Sequence, residues 1–581
     1  MKNLNAITGF ILSFFLATLC ATVSCRSNGS RGGADRTPLF TNFIYEGQDP
    51  VYEKNPVTEG EFYIPILQGC YPDPSITRKG GNYYLVASSF AFFPGVPIFQ
   101  SNDLINWKSI GHVLDRESQL KVYDIPMSAG IYAPDIQYNP HNDMFYMITT
   151  QFAGGFGNMV VKASDPAGDW SDPIKLDFEG IDPALFFDDD GKAYVVHNDA
   201  PEKGKELYEG HRVIKIWDYD VENDQVVQGS DQIIVDGGVD LSKKPIWIEA
   251  PHLYKKNGKY YLMCAEGGTG GNHSEVIFSG THPKGPFKPA KKNPILSQRH
   301  LAKDRSDKVD WAGHADLVET SDGEYYGVFL AVRPNEKERV NTGRETFMLP
   351  VDWTGEFPAF VGGMAPLPTK LRSPKGATYQ LNQEAWFLNG NFTYQDDFKD
   401  SVLNDRWIGV RGPRETFAKP SPKGLVIEPF ATTIQEMKPT STLFHRQQHN
   451  FFKASTLIHY KPGSEKDLAG LVCYQREGFH YVFGLTKQGK DYYIVLERTA
   501  EGKADVLASA KVDLEQPITL EVRAEGDAYQ FHYGKDKEQL NSLGEVVSGD
   551  ILSTDVAKGF TGALIGLYST SGNEILPGKA D

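Results

Sequence analysis

Short apolar strands alternate with polar turns up to about residue 355, and five of the strand–turn–strand units begin with a similar motif. Ten to twelve residues after each motif an aromatic strand follows, and a turn rich in Gly, Asn or Asp lies between the two. The motifs begin at Asp73, Ala133, Asp182, Ala250 and His314. A unit that recurs every few tens of residues is typical of radially repeated β-structure. The pattern therefore predicts a five-bladed β-propeller, in which the first strand of each blade lines a central channel.

Equivalent positions on the innermost strands of a propeller converge on its axis. The first motif position holds Asp73, Asp182 and His314, and Glu249 lies one residue before the fourth motif. A purely structural alternative is that Asp-Pro and Ala-Pro only begin strands, because proline suits the first residue of a strand. That alternative does not explain why only some copies carry an acid. We therefore expect Asp73, Asp182 and Glu249 to share one pocket.

The repeat stops after residue 355, where Pro and Gly become dense. We predict a propeller at 61–355, a linker at 356–390 and a second domain at 391–581. Seven further short strands in this last part predict a jelly-roll-like β-sandwich, so that the whole chain is all-β. They are expected at 391–398, 424–428, 454–460, 471–475, 492–498, 518–523 and 562–568. We expect the sandwich to lack one final strand, which would leave an exposed edge.

The N-terminus has the features of an export signal. Lys2 precedes an apolar stretch at 6–21 that is too short for a comfortable membrane span. Ser24-Cys25 resembles a bacterial lipoprotein cleavage site, with Cys25 as the lipidated residue, although Thr22 stands where Leu is usual. Ordinary secretion is the alternative. We expect a signal peptide at 1–25, a tether at 26–60, and a periplasmic or outer-membrane-anchored bacterial protein.

Composition narrows the classes of partner. A formal charge of −16 over 581 residues argues against nucleic acid, which needs a basic face. Besides any lipidated Cys25, only Cys70, Cys264 and Cys473 remain in the exported chain, too few for a disulfide framework. We expect these three to be buried small residues.

Three converging carboxyl groups suit the hydrolysis of a glycosidic bond. One must be protonated to assist the leaving oxygen, and another must be ionised to activate water or attack carbon. A third negative group nearby raises the pKa of the acid. The apolar surroundings of Glu249 at 246–251 would raise its pKa further.

The motifs together resemble glycoside hydrolase family 43, in the subgroup of β-xylosidases and α-L-arabinofuranosidases with a C-terminal β-sandwich. The matching stretches are GCYPDPS at 69–75, FFPGVP at 92–97, GIYAP at 130–134, GIDP at 180–183, IEAPH at 248–252, AEGGT at 265–269, GHADL at 313–317 and GRETF at 343–347. The resemblance implies that Asp73 is the general base, Glu249 the general acid, and Asp182 the residue that tunes and orients Glu249. It also implies inversion, with the two catalytic carboxyls ~6.5–9.5 Å apart.

Further site residues follow from the same resemblance. Phe92, Phe93 and Tyr132 would form walls of the sugar pocket, and Arg344 would contact sugar hydroxyls. His314 would lie in the channel near a water or a structural Ca²⁺; no cofactor is required for the reaction. From the residues alone, each of these roles has a structural alternative. The three aromatic residues would then be ordinary core residues, Arg344 would form a surface ion pair, and His314 would be a hydrogen-bonded core histidine. A loop of the sandwich would close the pocket rim, which favours exo action.

The expected activity is release of terminal α-L-arabinofuranose or β-D-xylose from oligosaccharides of arabinoxylan, arabinan or xyloglucan. Tyr132 occupies a position that is often Trp in the xylosidase members of the family, and this difference slightly favours arabinofuranose. Alternatives are a β-1,4-xylosidase alone or a non-catalytic glycan-binding propeller. A retaining fructan hydrolase would need a different motif around Asp73, and metal-dependent hydrolysis lacks a His/Asp cluster with ligand spacing. The oligomeric state is left open.

Overall fold

The computed structural model describes residues 37–573, and five antiparallel sheets at 75–360 form the blades of a propeller. The first four strands of each sheet are ordered as in the chain, the fifth strand of the third and fourth blades pairs with the third strand, and each innermost strand carries or directly follows its motif. The blade strands are Ser75–Lys79, Asn82–Val86, Gly95–Ser101 and Lys108–Leu114; Ile131–Asn139, Met144–Gln151, Gly157–Ala163 and Ile174–Lys175; Ile181–Phe187, Ala193–Asp199, Val213–Asp220, Gln225–Val226 and Gln232–Asp236; Glu249–Lys256, Lys259–Glu266, Ser274–Gly280, Lys288–Pro289 and Leu296–Ser297; and Asp310–Glu319, Tyr325–Val332, Glu345–Asp352 and Ala359–Phe360. The predicted propeller is confirmed.

The first motif position has the same unusual backbone in all five blades. Asp73, Ala133, Asp182, Ala250 and His314 have φ values of 55°, 24°, 53°, 49° and 55°. Positive φ is uncommon for residues other than glycine and is concentrated at functional sites. In the third, fourth and fifth blades the strand register shifts at this point. Such irregularities re-aim a side chain out of the regular alternation.

Two packed sheets form the C-terminal sandwich. One contains Leu39–Phe40, Phe43–Gly47, Phe392–Asp396, Ala418–Ser421, Gly424–Ile427, Phe451–His459, Ile518–Glu525, Ala528–Gly534, Asn541–Ser542 and Val547–Ser548. The other contains Ser441–Arg446, Leu468–Arg476, Phe479–Gln488, Asp491–Ala500, Lys503–Val512 and Leu564–Thr570. Leu564–Thr570, the last described strand, lies inside its sheet between two neighbours rather than at an edge.

The tether expected at 26–60 is wrong for the part that the structure describes. Phe43–Gly47 pairs with Phe451–His459 and Phe392–Asp396 as a strand of the sandwich. Phe40, Phe43 and Tyr45 are fully buried there. Burying three aromatic side chains stabilises this pairing far more than a solvated tether would. Residues 1–36, including the predicted signal peptide and Cys25, lie outside the described part, as do residues 574–581.

The linker expected at 356–390 is also partly built into the propeller. Ala359–Phe360 is the outer strand of the fifth blade, and Lys370–Arg372 pairs with Glu61–Tyr63. Phe360 and Leu367 are buried in the propeller core. The Pro and Gly residues therefore mark turns between short strands rather than a free connection.

Helices are short within the described range. They are Pro50–Lys54 and Thr554–Ala557, with single 3₁₀ turns at Leu241–Lys243, Arg414–Thr416 and Gly549–Leu552. None of these described helices has the length and apolar character needed to span a membrane. An apolar cluster that includes Phe92, Val410, Phe444 and Leu564 joins the first two blades to the sandwich.

Candidate active site

A cavity of about 410 Å³ opens where the innermost strands converge, and the three predicted acids lie in its wall. Asp73, Asp182 and Glu249 are 5%, 6% and 5% exposed, so each carboxyl is almost fully withdrawn from water. The cavity is lined by Asp73, Phe90, Tyr132, Ala133, Phe152, Ile181, Asp182, Ile246, Trp247, Glu249, Gly268, Thr269, His314, Arg344 and Phe560. We call this cavity the sugar pocket. The structure thus brings together acids that lie on three different blades.

Asp73 is held as an anion. Its Oδ1 accepts a hydrogen bond from Arg344 Nη1 at 2.8 Å, and its Oδ2 accepts one from Ser88 Oγ at 2.6 Å. Burial alone would raise the pKa of Asp73, but the Arg344 charge and the Ser88 hydroxyl outweigh burial and lower that pKa below 3.8. An ionised, oriented carboxylate is what a general base needs.

In contrast to Asp73, Glu249 and Asp182 have surroundings that favour the protonated form of the carboxyl. Burial raises the pKa of Glu249 well above 4.5, and the neighbouring Asp182 and Asp73 charges raise it further. Burial and the Asp73 charge also raise the pKa of Asp182, to about 7. Asp182 Oδ2 accepts a hydrogen bond from the Ala250 N–H at 3.3 Å, while Glu249 Oε1 has no hydrogen-bond partner among the described residues. The pocket therefore keeps Glu249 protonated beside an ionised Asp73.

His314 and Arg344 both lie where the sequence places them, against the sugar pocket. His314 Nδ1 is 3.6 Å from Asp73 Oδ1, and burial lowers the pKa of His314 to about 3, so the ring is neutral. Arg344 is 4% exposed, and its Nε has no partner within residues 37–573. Arg344 is thus no surface ion-pair residue: it pairs with Asp73 and keeps one donor free.

Two of the three predicted wall aromatics are wrong. Phe92 and Phe93 are fully buried and pair with Gly409–Val410 of the sandwich domain, away from the pocket. Phe90, two residues earlier and at φ 50°, lines the pocket in their place. Tyr132 does line it, and stacks on Phe152 with ring centroids 4.8 Å apart. Phe152 is 58% exposed at the rim, and no distinctive sequence pattern marks its position.

The sandwich closes the pocket through Phe560. The Phe560 N–H donates to Ser128 Oγ at 3.0 Å, and the next glycine, Gly562, donates to Cys70 Sγ at 3.2 Å. The Phe560 ring lies 5.8 Å from the Tyr132 ring. A loop from the second domain at the pocket rim was expected, but the residue that fills it was missed. Cys70, Cys264 and Cys473 are buried and free, as predicted.

A second layer of polar residues lies two positions further along the innermost strands. Asp135, His252 and Asp316 form a buried cluster there with ligand atoms within 4.8 Å of one another, which spacing in the sequence did not reveal. All four carboxylate oxygens accept hydrogen bonds from the protein, and the adjoining channel space is only about 10 Å³. Ca²⁺ requires six to eight oxygen ligands. The cluster does not fit such an ion.

Comparison with known proteins extends these observations to almost the whole chain. The family model "Glycosyl hydrolases family 43" matches residues 62–358, and the model "Beta xylosidase C-terminal Concanavalin A-like domain" matches residues 395–581. The chain belongs to glycosyl hydrolase family 43. A xylosidase/arabinosidase of Butyrivibrio fibrisolvens is 36% identical over 87% of this family 43 chain and 95% of that protein. A non-reducing end alpha-L-arabinofuranosidase of Bacteroides ovatus is 31% identical over 90% and 93%, respectively.

Solved structures give the same assignment. A crystal structure of a GH43_12 protein from capybara gut metagenome has a TM-score of 0.88 and 53% identity, covering 92% of this chain and 99% of that one. A Bacteroides ovatus xyloglucan-locus GH43B structure has a TM-score of 0.77 and 30% identity, covering 88% and 97%. The predicted family, the propeller-plus-sandwich fold and the class of glycoside hydrolase are confirmed.

Proposed function

We propose that this family 43 enzyme is an exo-acting, inverting glycosidase that releases a terminal α-L-arabinofuranose or β-D-xylose from hemicellulose oligosaccharides. The observation that carries the proposal is the split between the three pocket acids, one kept ionised by Arg344 and one kept protonated by burial and its neighbours. Groups whose environments separate their pKa values in this way supply a base and an acid at the same pH.

The shape of the pocket supports exo action. Beyond the acids, the channel narrows to about 10 Å³ between Ser75, Asp135, Ala184 and His252, space for one water molecule. Phe560 covers another side. A sugar chain cannot continue past such a floor, so only the terminal ring enters.

In the proposed mechanism Asp73 removes a proton from a water that attacks the anomeric carbon. Glu249 gives its proton to the glycosidic oxygen on the other side of the ring, and the leaving sugar departs with that oxygen. Asp182 acts on Glu249 by charge, and its hydrogen bond from Ala250 keeps it beside the acid. This division of roles gives inversion when water fits between base and sugar.

The choice between the two pentoses rests on the pocket wall. Relatives carry both names, xylosidase/arabinosidase and α-L-arabinofuranosidase among them. The Tyr132 hydroxyl donates a hydrogen bond to the Ser128 carbonyl at 3.0 Å. The Tyr132 ring, rather than its hydroxyl, therefore packs toward Phe90 and Phe152. We favour arabinofuranose, because a Tyr phenol ring at position 132, in place of a larger Trp indole, changes the pocket wall against which the sugar ring packs.

Initial rates on 4-nitrophenyl α-L-arabinofuranoside and 4-nitrophenyl β-D-xyloside, measured side by side, test the proposal. A rate on either confirms an exo-glycosidase, and their ratio gives the preferred pentose. NMR of the first-formed anomer tests inversion. Absence of turnover on both aryl glycosides and on arabinoxylan oligosaccharides would refute the proposed activity.

Export and anchoring are separate proposals. We propose that the chain is exported in a bacterium and held at the outer membrane or in the periplasm through a lipid on Cys25, the sole proposed membrane contact. Labelled palmitate should enter the wild-type protein expressed in a bacterial host and not the Cys25→Ala variant. Equal labelling of both would refute lipidation at this residue.

A further inference from the structure

A second cavity lies next to the sugar pocket and shares a wall with it. It measures about 410 Å³, and the loop after the second strand of the third blade forms most of its lining. Trp247 lines both cavities, two residues before Glu249. Trp247 has φ 57°, a costly conformation for a bulky residue, and its N–H donates to the Gly210 carbonyl of the loop at 2.9 Å. The loop and the general acid are therefore fixed to the same short segment.

Arg212 lines this second cavity and has no ionic partner in the part of the chain that the structure describes. Its guanidinium stacks on the Trp247 ring at 3.9 Å. Between residues 37 and 573 no carboxylate lies within ion-pair distance of it and no group accepts a hydrogen bond from its side chain; its Nε is buried and unsatisfied. A buried Nε–H without an acceptor is costly, because this donor lacks the partner that water would give it.

The direction of bond cleavage places the leaving sugar on this side. Glu249 must reach the glycosidic oxygen, so the sugar that keeps this oxygen lies beyond Glu249, away from Asp73. Trp247 and Ile246 border the pocket there, and Ile246 is 54% exposed. The cavity beyond Trp247 is thus next to the place where a leaving sugar must sit.

We propose that this second cavity is a binding subsite for the neutral sugar on the leaving side of the scissile bond, with Arg212 as its principal hydrogen-bond donor. The inference rests on the proposed exo-glycosidase activity. Sugar hydroxyls would supply the acceptors that Arg212 lacks, and Trp247 would position Arg212 relative to Glu249 by stacking.

The charges around the cavity favour a neutral sugar over a uronic acid. Glu206 and Glu209 also line it, and Asp199 lies close enough to act on Arg212 by charge. These anions would repel a sugar carboxylate but can accept hydrogen bonds from hydroxyl groups. The side chain of Leu207, 59% exposed, offers an apolar contact for the C–H face of a ring.

Arg212→Met tests the subsite, because Met preserves contact with Trp247 but has no N–H donors. Two substrates that release the same pentose are compared. One is the 4-nitrophenyl glycoside of that pentose, which has no leaving sugar, and the other is the pentose linked to xylotriose. We expect kcat/KM on the oligosaccharide to fall about 10- to 100-fold, as for loss of charged hydrogen bonds, and the aryl rate to change less than about threefold. Each variant is measured at its own pH optimum, because Arg212 also acts on Glu249 by charge.

Lys205→Met is the matched control. Lys205 is a cation of the same loop, outside the cavity lining and paired with Glu202 at the surface, so its loss should affect neither substrate. Arg212→Lys, which keeps the charge but loses the planar fork, should give an intermediate loss on the oligosaccharide and serves in place of Arg212→Met if that variant does not fold. Equal losses on both substrates, or none on the oligosaccharide, would overturn the subsite. A wild-type enzyme inactive on both would instead overturn the proposed function.

Discussion

Two layers of acids lie along the same propeller axis, yet their hydrogen bonding differs. The first-position layer contains Asp73, Ala133, Asp182, Ala250 and His314 with the adjacent Glu249; the third-position layer contains Ser75, Asp135, Ala184, His252 and Asp316. In the third-position layer every carboxylate oxygen has a protein donor. In the first-position layer Glu249 Oε1 has none among the described residues.

The third-position layer connects the blades. Asp316 of the fifth blade accepts from the Ile76 N–H of the first blade at 2.8 Å and from the Tyr254 hydroxyl of the fourth at 2.8 Å. Asp135 of the second blade accepts from the Leu185 N–H of the third at 2.8 Å. Saturated buried acids stabilise a structure, whereas unsaturated ones keep hydrogen-bonding capacity for a substrate. Hydrogen-bond saturation thus distinguishes Glu249 from the third-position acids, whereas Asp73, with both oxygens bonded by Arg344 and Ser88, is saturated as they are.

The largest expected effect is on catalysis, from Glu249→Gln. Gln cannot donate the proton to the leaving oxygen, so kcat should fall roughly 10²–10⁴-fold on oligosaccharides. The loss should be much smaller on a dinitrophenyl glycoside, whose leaving group needs little protonation. Rate measurements on both substrates check this. Near-wild-type turnover of oligosaccharides would remove Glu249 from the acid role.

Stability supplies the control for the same variant. The folded-state pKa of Glu249 is raised, so the carboxyl lowers the unfolding free energy once pH exceeds its unfolded-state pKa of about 4.3. Glu249→Gln should therefore be at least as stable as wild type at pH 7 in urea unfolding. A clear loss of stability would mean that Glu249 belongs with the structural acids.

Asp316→Ala should show the reverse behaviour. It removes the acceptor of the Ile76 N–H and of the Tyr254 hydroxyl in the core, while the Leu317 N–H keeps the Tyr254 oxygen as an acceptor, and should lower the unfolding free energy by about 2–5 kcal/mol. Activity per folded molecule should change far less than for Glu249→Gln. Asp190→Ala, in an exposed turn, is the matched carboxylate control and should change stability by less than about 0.5 kcal/mol. Full stability of Asp316→Ala would contradict the structural role.

These two layers also show what the sequence could predict. The repeated motif located the first-position acids, since one strand register repeated five times must converge on one axis. The third-position layer uses the same repeat, but Ser75, Asp135 and His252 are chemically unlike one another and gave no column of one residue type. Their shared hydrogen bonds cross blades and so depend on the closed ring.

The aromatic walls were harder to predict for a different reason. Phe90 and Phe92 lie two residues apart and would share a face of a regular strand, but the positive φ of Phe90 directs only one of them to the pocket. Phe560 comes from the other domain, and no local pattern indicates a contact that depends on domain packing. Phe40 and Phe43 were likewise missed, because a short polar-flanked segment resembles a tether until its partner strand is known.

A smaller effect, on pH dependence, is expected for Asp182→Asn. The Asp182 anion raises the pKa of Glu249, so its removal should lower that pKa. As the proposed general acid, Glu249 would act when protonated, so activity should be lost as pH rises through its pKa. The alkaline limb of kcat/KM against pH should therefore move to lower pH, with a rate loss on the order of 10-fold at pH 7. An unchanged alkaline limb would exclude tuning of Glu249 by Asp182.

The smallest expected effect is that of metal removal. A structural Ca²⁺ near His314 stays a prediction of the sequence, but Asp73 Oδ1 and Oδ2 accept hydrogen bonds from Arg344 and Ser88, and each oxygen of Asp135 and Asp316 accepts one from the protein. Because Ca²⁺ needs many oxygen ligands, we expect EDTA to leave both kcat and Tm unchanged. EDTA could instead lower Tm, with Ca²⁺ restoring it and the alkaline limb of the pH profile unchanged. That result would mean that a cation stabilises the propeller in addition to the hydrogen bonds between blades. A fall in kcat at constant Tm would instead place the cation in the first-position layer, beside His314.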